Sequence, residues 1–227
     1  MPFTLADVVP WGRTFEEYGA MFALSEVELD RRILGCGDGP ASFNALAKQQ
    51  GYNLVSVDPL YQFSAAAIRT RIEQTAVTVA EQTRRHANEF LWNHFSSVDE
   101  LVAARMSAMA KFLDDYPSGK SAGRYIEAAL PMLPFSDQAF DLALCSHFLF
   151  LYSEQRDLTF HIESIRELAR VASEVRIFPL LELGAQPSRH LGATIEVIQS
   201  AGFLVSRVRV PYEFQRGANE MLRISRR

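Results

Sequence analysis

The chain has only two cysteines in 227 residues. Cys36 and Cys145 fall at expected strand ends or loops, which excludes a disulfide-stapled scaffold. No apolar run reaches the roughly 18 residues of a membrane span. Met1-Pro2-Phe3 opens without the basic region and apolar core of a secretion signal, so a soluble cytoplasmic protein is the expectation. Long basic runs are missing too: 23 Lys and Arg against 27 Asp and Glu leave a net charge of −4. That argues against a nucleic-acid backbone as the main partner, and Arg84-Arg85 and Arg226-Arg227 read as solvated surface. Histidine is scarce. His86 and His94 stand eight apart on an expected helix, sharing a face but too far apart to chelate a metal by themselves, and His161 and His190 are isolated. No metal site is expected. Neither an internal repeat nor a low-complexity tract occurs. With 48% hydrophobic residues, the chain can bury a full core as one domain spanning residues 1–227.

Against these absences, one stretch is dense in glycine. Arg32-Ile33-Leu34 runs as an apolar strand into Gly35-Cys36-Gly37-Asp38-Gly39, and Asn44-Ala45-Leu46-Ala47 then reads as helix. Glycine admits positive φ and brings bare N–H groups against a ligand. The following helix start adds a positive dipole end, which suits a polar, partly anionic small molecule. Nineteen residues after Gly39, Asp58 ends the apolar run Leu54-Val55-Ser56-Val57. An acid at that distance is placed to accept hydrogen bonds from ribose hydroxyls. The pattern therefore points to a nucleoside-cofactor site at the mouth of an α/β sheet. A dinucleotide fingerprint would need its third glycine at position 40, where Pro40 stands.

The G-x-G-x-G spacing instead resembles the first motif of class I S-adenosylmethionine-dependent methyltransferases. Val57-Asp58-Pro59 is similar to that family's second-strand end. Leu133-Pro134-Phe135 followed by Phe140-Asp141, then Leu142 to His147, resembles its "LPF…FD" block and fourth strand. Ala201-Gly202-Phe203, with two strand-like runs after it, resembles its closing hairpin. The resemblance covers most of the chain. It implies a Rossmann-like, mostly parallel seven-stranded sheet with an antiparallel C-terminal strand, binding S-adenosylmethionine and releasing S-adenosylhomocysteine. It assigns Gly35, Cys36, Gly37 and Gly39 to the cofactor loop, Asp58 with Pro59 to the ribose, and backbone around Leu130 to the adenine. Ser146 would line the sulfonium, and Arg13 and Tyr18, from a helix that lies over the cofactor in this family, would touch its carboxylate. His147, at the carboxyl edge of the fourth strand, would serve as base for a hydroxyl or amine, whereas Asp141 reads as a structural acid. Two positions depart from the family: Ile33 stands where an acid precedes the first glycine, and Ala128 and Ala129 where an acid meets the adenine. The "D/N-P-P-Y/F" tetrad of amino-methylating nucleic-acid enzymes is absent, so a small-molecule acceptor is expected.

The layout follows from periodicity. Thr14 and Glu17 mark a capping box, with Phe15, Tyr18, Met21 and Phe22 on one helical face. Between the second and third strands, residues of about 64–118 form a helical insertion far longer than a usual crossover. Residues 64–115 contain neither Gly nor Pro. Ser97 to Glu100 is a second capping box, and Tyr116-Pro117-Ser118-Gly119 should break the helix it starts. The apolar positions Ile68, Ile72, Trp92, Phe95, Met106 and Met109 suit a lid over the acceptor, a self-contained core or a homodimer interface. Phe90, Trp92 and Phe95 read as insertion core. A helix over about 155–172 with Leu158, Ile162, Ile165 and Leu168 inward, a strand at 175–178, a helix at 191–199 stopped by Gly202, and a closing strand pair follow. The alternative to an enzyme is a methyltransferase-like binding or scaffold module without turnover. A nicotinamide oxidoreductase is disfavoured by Pro40.

Overall fold

The computed structural model describes residue 5 and residues 8–226; Met1-Pro2-Phe3 and Arg227 lie outside the described residues. The first helix, α1 (Phe15–Met21), is capped as its sequence predicts: Thr14 Oγ1 accepts from the Glu17 amide, and the Glu17 carboxylate accepts from the Thr14 amide at 2.9 Å. A single turn, α2 (Glu26–Leu29), leads into β1 (Ile33–Cys36), followed by α3 (Phe43–Gln49) and β2 (Leu54–Val57). The helices α4 (Ala65–Arg85) and α5 (Val98–Ser121) precede β3 (Tyr125–Ile126) and β4 (Phe140–Ser146). Then come α6 (Leu158–Val171), β5 (Ala172–Phe178), a two-strand ribbon of β6 (Leu181–Glu182) and β7 (Gln186–Pro187), α7 (Leu191–Ser200), β8 (Phe203–Arg209) and β9 (Glu220–Arg226).

The main sheet has seven strands in the order β3-β2-β1-β4-β5-β9-β8. The first four pairings are parallel, while β9 runs antiparallel to both β5 and β8. Successive residues of a strand face opposite sides, and here both sides are covered. Leu34, Cys36, Ala143 and Cys145 pack with Ile165, Leu168 and Ile198 from α6 and α7. Ile33, Leu142 and Leu144 pack instead with Tyr18, Met21 and Phe43 from α1 and α3. Within α6, Ile165 and Leu168 are fully buried and Leu158 and Ile162 only half-buried. Asp141 is structural, as expected: its carboxylate accepts from the Arg32 amide and guanidinium across the strand starts.

The insertion departs from expectation in four places. The helix α5 does not stop at Tyr116-Pro117-Ser118-Gly119 but runs on to Ser121 with Pro117 inside it. Proline deprives the Leu113 carbonyl of its helical donor, yet tertiary contacts hold the last turn. Tyr116 Oη donates to the Tyr61 carbonyl at 2.7 Å, and Gly119 lets the helix lie against Tyr125, where a Cβ would come within 2.4 Å of the ring. The helix carrying His86 ends at Arg85, so His86 and His94 share no helical face. Phe90, Trp92 and Phe95 pack on Phe214 of the C-terminal segment, with ring centroids 5.0, 5.7 and 5.6 Å away, and Phe95 also lies against Arg105 of α5. The cap of α5 forms by halves: Ser97 Oγ accepts from the Glu100 amide, while the Glu100 carboxylate turns to the Ser96 amide. Among the described residues, no helix is long and apolar enough to cross a membrane.

Candidate functional site

The strands β1, β2 and β4 are mutually parallel and end at one sheet edge, where open α/β sheets hold their ligands. A cavity of about 560 Å³ opens there, well inside the ~300–1,000 Å³ of small-molecule sites. Its wall includes Cys36, Gly37, Asp38 and Gly39. Gly37 and Gly39 sit at φ +70° and +53°, in the left-handed region that favours glycine. The Gly37 amide donates to the Val57 carbonyl at 2.9 Å, tying the loop to β2. Gly35 serves differently. It is not on the cavity wall, and a Cβ there would lie 1.9 Å from the Asp38 carboxylate, so it makes room for that side chain.

Two carboxyl groups define the floor. Asp58 Oδ2 accepts from the Gly39 amide and Oδ1 from the Leu60 amide, both at 2.8 Å, so β2 and the glycine loop are joined through one side chain. Burial raises its pKa against the pull of those two amides. Asp38, which the sequence reading passed over, is 6% exposed and accepts from Tyr18 Oη at 2.8 Å and Ser56 Oγ at 2.6 Å. Burial pushes its carboxyl up to about 7, with Ser56 and Tyr18 opposing and Asp58 adding to the rise. The only sequence signal for Asp38 was its place between two glycines of the loop.

Of the other expected site residues, Arg13, Tyr18, Pro59, Leu130, Ser146 and His147 all line this cavity, as do Ala128 and Ala129. Tyr18 is buried, stacked 4.3 Å from the Phe43 ring, with its hydroxyl committed to Asp38. His147 sits at φ +51°, and its Nδ1 lies 2.9 Å from Ser146 Oγ. Burial, then the charges of Arg13 and Arg105, hold its pKa well below the usual imidazole value, so the ring is neutral. Ile33, by contrast, is in the core at 1% exposed and cannot reach a ligand. Trp11, Arg71, Phe148, Arg156 and Phe160 also reach the wall without having been singled out. They come from five separate stretches, and no local pattern marks them.

A second chamber of about 100 Å³ adjoins the first, and Val9, Trp11, Arg13 and His147 line both. Behind it lies a buried ion pair that no sequence spacing announced. Arg105, 1% exposed, forks onto both oxygens of Glu17 through NH1 and NH2. Tyr212 Oη donates to the same carboxylate at 2.8 Å. Burial would raise Glu17, but the Arg105 charge and hydrogen bonds override it and hold the carboxyl at about 2. No group of three or more His, Cys, Asp or Glu that could hold a metal occurs among the described residues.

No family model matches the chain. It is 34% identical over 224 residues to the uncharacterized protein MJ0045 of Methanocaldococcus jannaschii, covering 98% of both chains. Among solved structures, it is similar to the mitomycin 7-O-methyltransferase MmcR at a TM-score of 0.50 and 14% identity, over 94% of this chain and 54% of that one. It is also similar to the magnesium protoporphyrin IX methyltransferase of Synechocystis PCC 6803, solved with bound SAM, at 0.46 and 14%, over 94% and 78%. The strand order and the likeness to MmcR give the chain the class I methyltransferase fold. By sequence, it belongs to the same family as the archaeal protein MJ0045.

Proposed function

We propose that this chain is a class I S-adenosylmethionine-dependent methyltransferase acting on a small-molecule acceptor. The observation that carries the reading is the glycine loop itself. Its left-handed Gly37 and Gly39, and Asp58 fixed by the Gly39 amide, stand together on a cavity of cofactor size at the carboxyl edge of the sheet. Each Asp58 oxygen accepts one backbone amide and keeps lone-pair capacity for ribose hydroxyls. Asp38 supports the reading in another way. It supplies to the cavity the carboxylate that the family carries two residues before its first glycine, where this chain has the buried Ile33. Cys36, Gly37, Gly39, Pro59 and Leu130 would contact the nucleoside, and Gly35 would act through the Asp38 side chain it accommodates. Arg13 lines both chambers and would stand between donor and acceptor. The Tyr18 hydroxyl, already given to Asp38, would orient that acid rather than touch the cofactor.

Bound there, S-adenosylmethionine would supply an electrophilic methyl group, which the acceptor's lone pair takes in line while the carbon–sulfur pair returns to sulfur. The protein's part is to hold the two reactants in register and keep water out, which needs no nucleophilic side chain. His147 stands where the two chambers meet. When Nδ1–H donates to Ser146 Oγ, Nε2 is left to accept a hydrogen bond or proton from the acceptor. Calorimetry with S-adenosylmethionine and S-adenosylhomocysteine tests the reading: heats of binding are expected, and none at millimolar ligand overturns it. Transfer of labelled methyl groups to extracted metabolites then separates an enzyme from a binding module without turnover.

A further inference from the structure

The smaller chamber carries an imbalance of charge that no described residue resolves. Two guanidiniums, Arg13 and Arg105, line it, and the ion pair at Glu17 neutralises one of them. Glu17 has no capacity to spare: it accepts from both terminal nitrogens of Arg105, from Tyr212 Oη and from the Thr14 amide. Arg13 donates to the Trp11 carbonyl at 2.6 Å and makes no ion pair among the described residues. The Nε groups of both arginines are buried, and neither has a hydrogen-bond partner among the described residues. Buried charged donors left unpaired are costly, and a negatively charged acceptor atom removes that cost.

We propose that this chamber is the methyl-acceptor pocket and that it takes a small organic carboxylate, held by Arg13, whose charge no described carboxylate meets, with the free Arg105 Nε–H beside it. The assignment rests on the methyltransferase reading, because only that reading makes the neighbouring chamber a methyl donor's site. Three further observations agree. His147 and Arg13 belong to the wall that the chambers share, so a molecule in the smaller one lies next to whatever fills the larger one. The walls around the two cations are apolar, with Leu101, Phe178 and Phe214 among them, so a carboxylate would pair with little competition from water. The imidazole in the shared wall, kept neutral by burial and by both arginines, is a weak base suited to an acceptor that has already lost its proton. An amine acceptor would enter as a cation facing two guanidiniums.

Size narrows the class. About 100 Å³ is less than the ~150 Å³ that admits benzene, so the pocket fits a short acid or the carboxylate end of a longer one. The test uses the full chain saturated with S-adenosylhomocysteine and an isosteric series: propionate, propionamide and propylamine. Ligand-observed NMR gives the three affinities, and the Arg105 Nε–H resonance reports contact directly. Propionate is expected to bind at least ~10-fold more tightly than either neutral amide or amine, as a charge-assisted pair requires, and to shift that resonance. Arg105→Lys keeps a charge for Glu17 but removes the Nε donor. It should reduce the propionate preference while leaving S-adenosylhomocysteine affinity unchanged. Equal binding of the three compounds, a preference for the amine, or an unmoved Arg105 resonance overturns the proposal while leaving the cofactor site intact. Propionate binding in a protein that binds no S-adenosylhomocysteine overturns the methyltransferase reading first and the acceptor assignment with it.

Discussion

On the sheet edge, the cavity wall is made of polar groups locked by hydrogen bonds: Asp58 by two amides, Asp38 by the Tyr18 and Ser56 hydroxyls, Gly37 by the Val57 carbonyl. Across from it, the helical insertion offers the larger cavity only Ala67, Ile68 and Arg71 from α4. The α5 rings Phe112 and Tyr116 serve a separate core with Tyr61 and Tyr125. Tyr61, Phe112, Tyr116 and Tyr125 lie within 5.1–6.0 Å of one another by ring centroid, closed by Ile68, Ile72, Met109 and Leu113. Of the six apolar positions that suited a lid, a core or a dimer interface, only Ile68 reaches the larger cavity. The contrast teaches that an apolar helix face beside a site is first a means of folding. Polar atoms held rigidly at a sheet edge have no such use, since packing alone does not need them.

The contrast can be broken most sharply by Phe112→Ala. Truncating this fully buried ring should cost about 3–5 kcal/mol of stability, read by urea unfolding, with S-adenosylhomocysteine affinity of the folded fraction unchanged. Affinity falling with stability would mean the insertion shapes the cofactor cavity. Next in size is a pH effect on the opposite wall. Asp38 titrates at about 7 in the fold against about 3.9 in an unfolded chain, so folding favours its protonated form. Its contribution is full below about pH 4 and declines by up to ~1.4 kcal/mol per pH unit between about pH 4 and 7. It is flat above that window. Asp38→Asn should therefore lose less stability than wild type between pH 4.5 and 7, measured by unfolding at each pH. Parallel losses would remove Asp38 from this role. Glu17, depressed to about 2, has the opposite sign: its contribution is present above about pH 4.5 and is lost as pH falls through about 2.

Asp58 gives the third test. Asp58→Ala should weaken S-adenosylhomocysteine binding by about 10- to 150-fold. The Leu60 amide that bonds Asp58 makes it a cap as well, so the same change should cost about 0.5–2 kcal/mol of stability. Asp58→Asn separates the roles, keeping the cap while losing the charged acceptor. Full affinity in both variants would place the ribose elsewhere. The smallest effect belongs to the insertion again: Ser97→Ala removes the acceptor for the Glu100 amide at the start of α5. A loss of about 1 kcal/mol in urea unfolding is expected, with ligand affinity untouched.

Much of this was legible from local pattern. The capping box at Thr14, the left-handed glycines at 37 and 39, the acid ending β2 and the stop at Gly202 all depend on neighbours within a few residues. The misreadings share a different cause. The chain at Pro117 and Gly119 would terminate an isolated helix, but Tyr61, distant in sequence, and Tyr125 on the following strand pack that turn into place. Trp92 and Phe95 look like insertion core until Phe214, more than a hundred residues away, is brought beside them.

The sequence by itself determined the fold class, the loop at Gly35 to Gly39 and the acid at Asp58, because those rest on strand periodicity and on conformations that favour glycine. It also bounded the chain to a domain without disulfide staples or membrane-length helices. Only the tertiary structure decided that Asp38 is buried between Tyr18 and Ser56, or that Arg105 crosses 88 positions to meet Glu17. It alone left Arg13 beside that pair without a carboxylate of its own among the described residues. The physical reason is range: a turn is set by the few residues in it, whereas the charge of a cavity is a sum over side chains that only folding brings together.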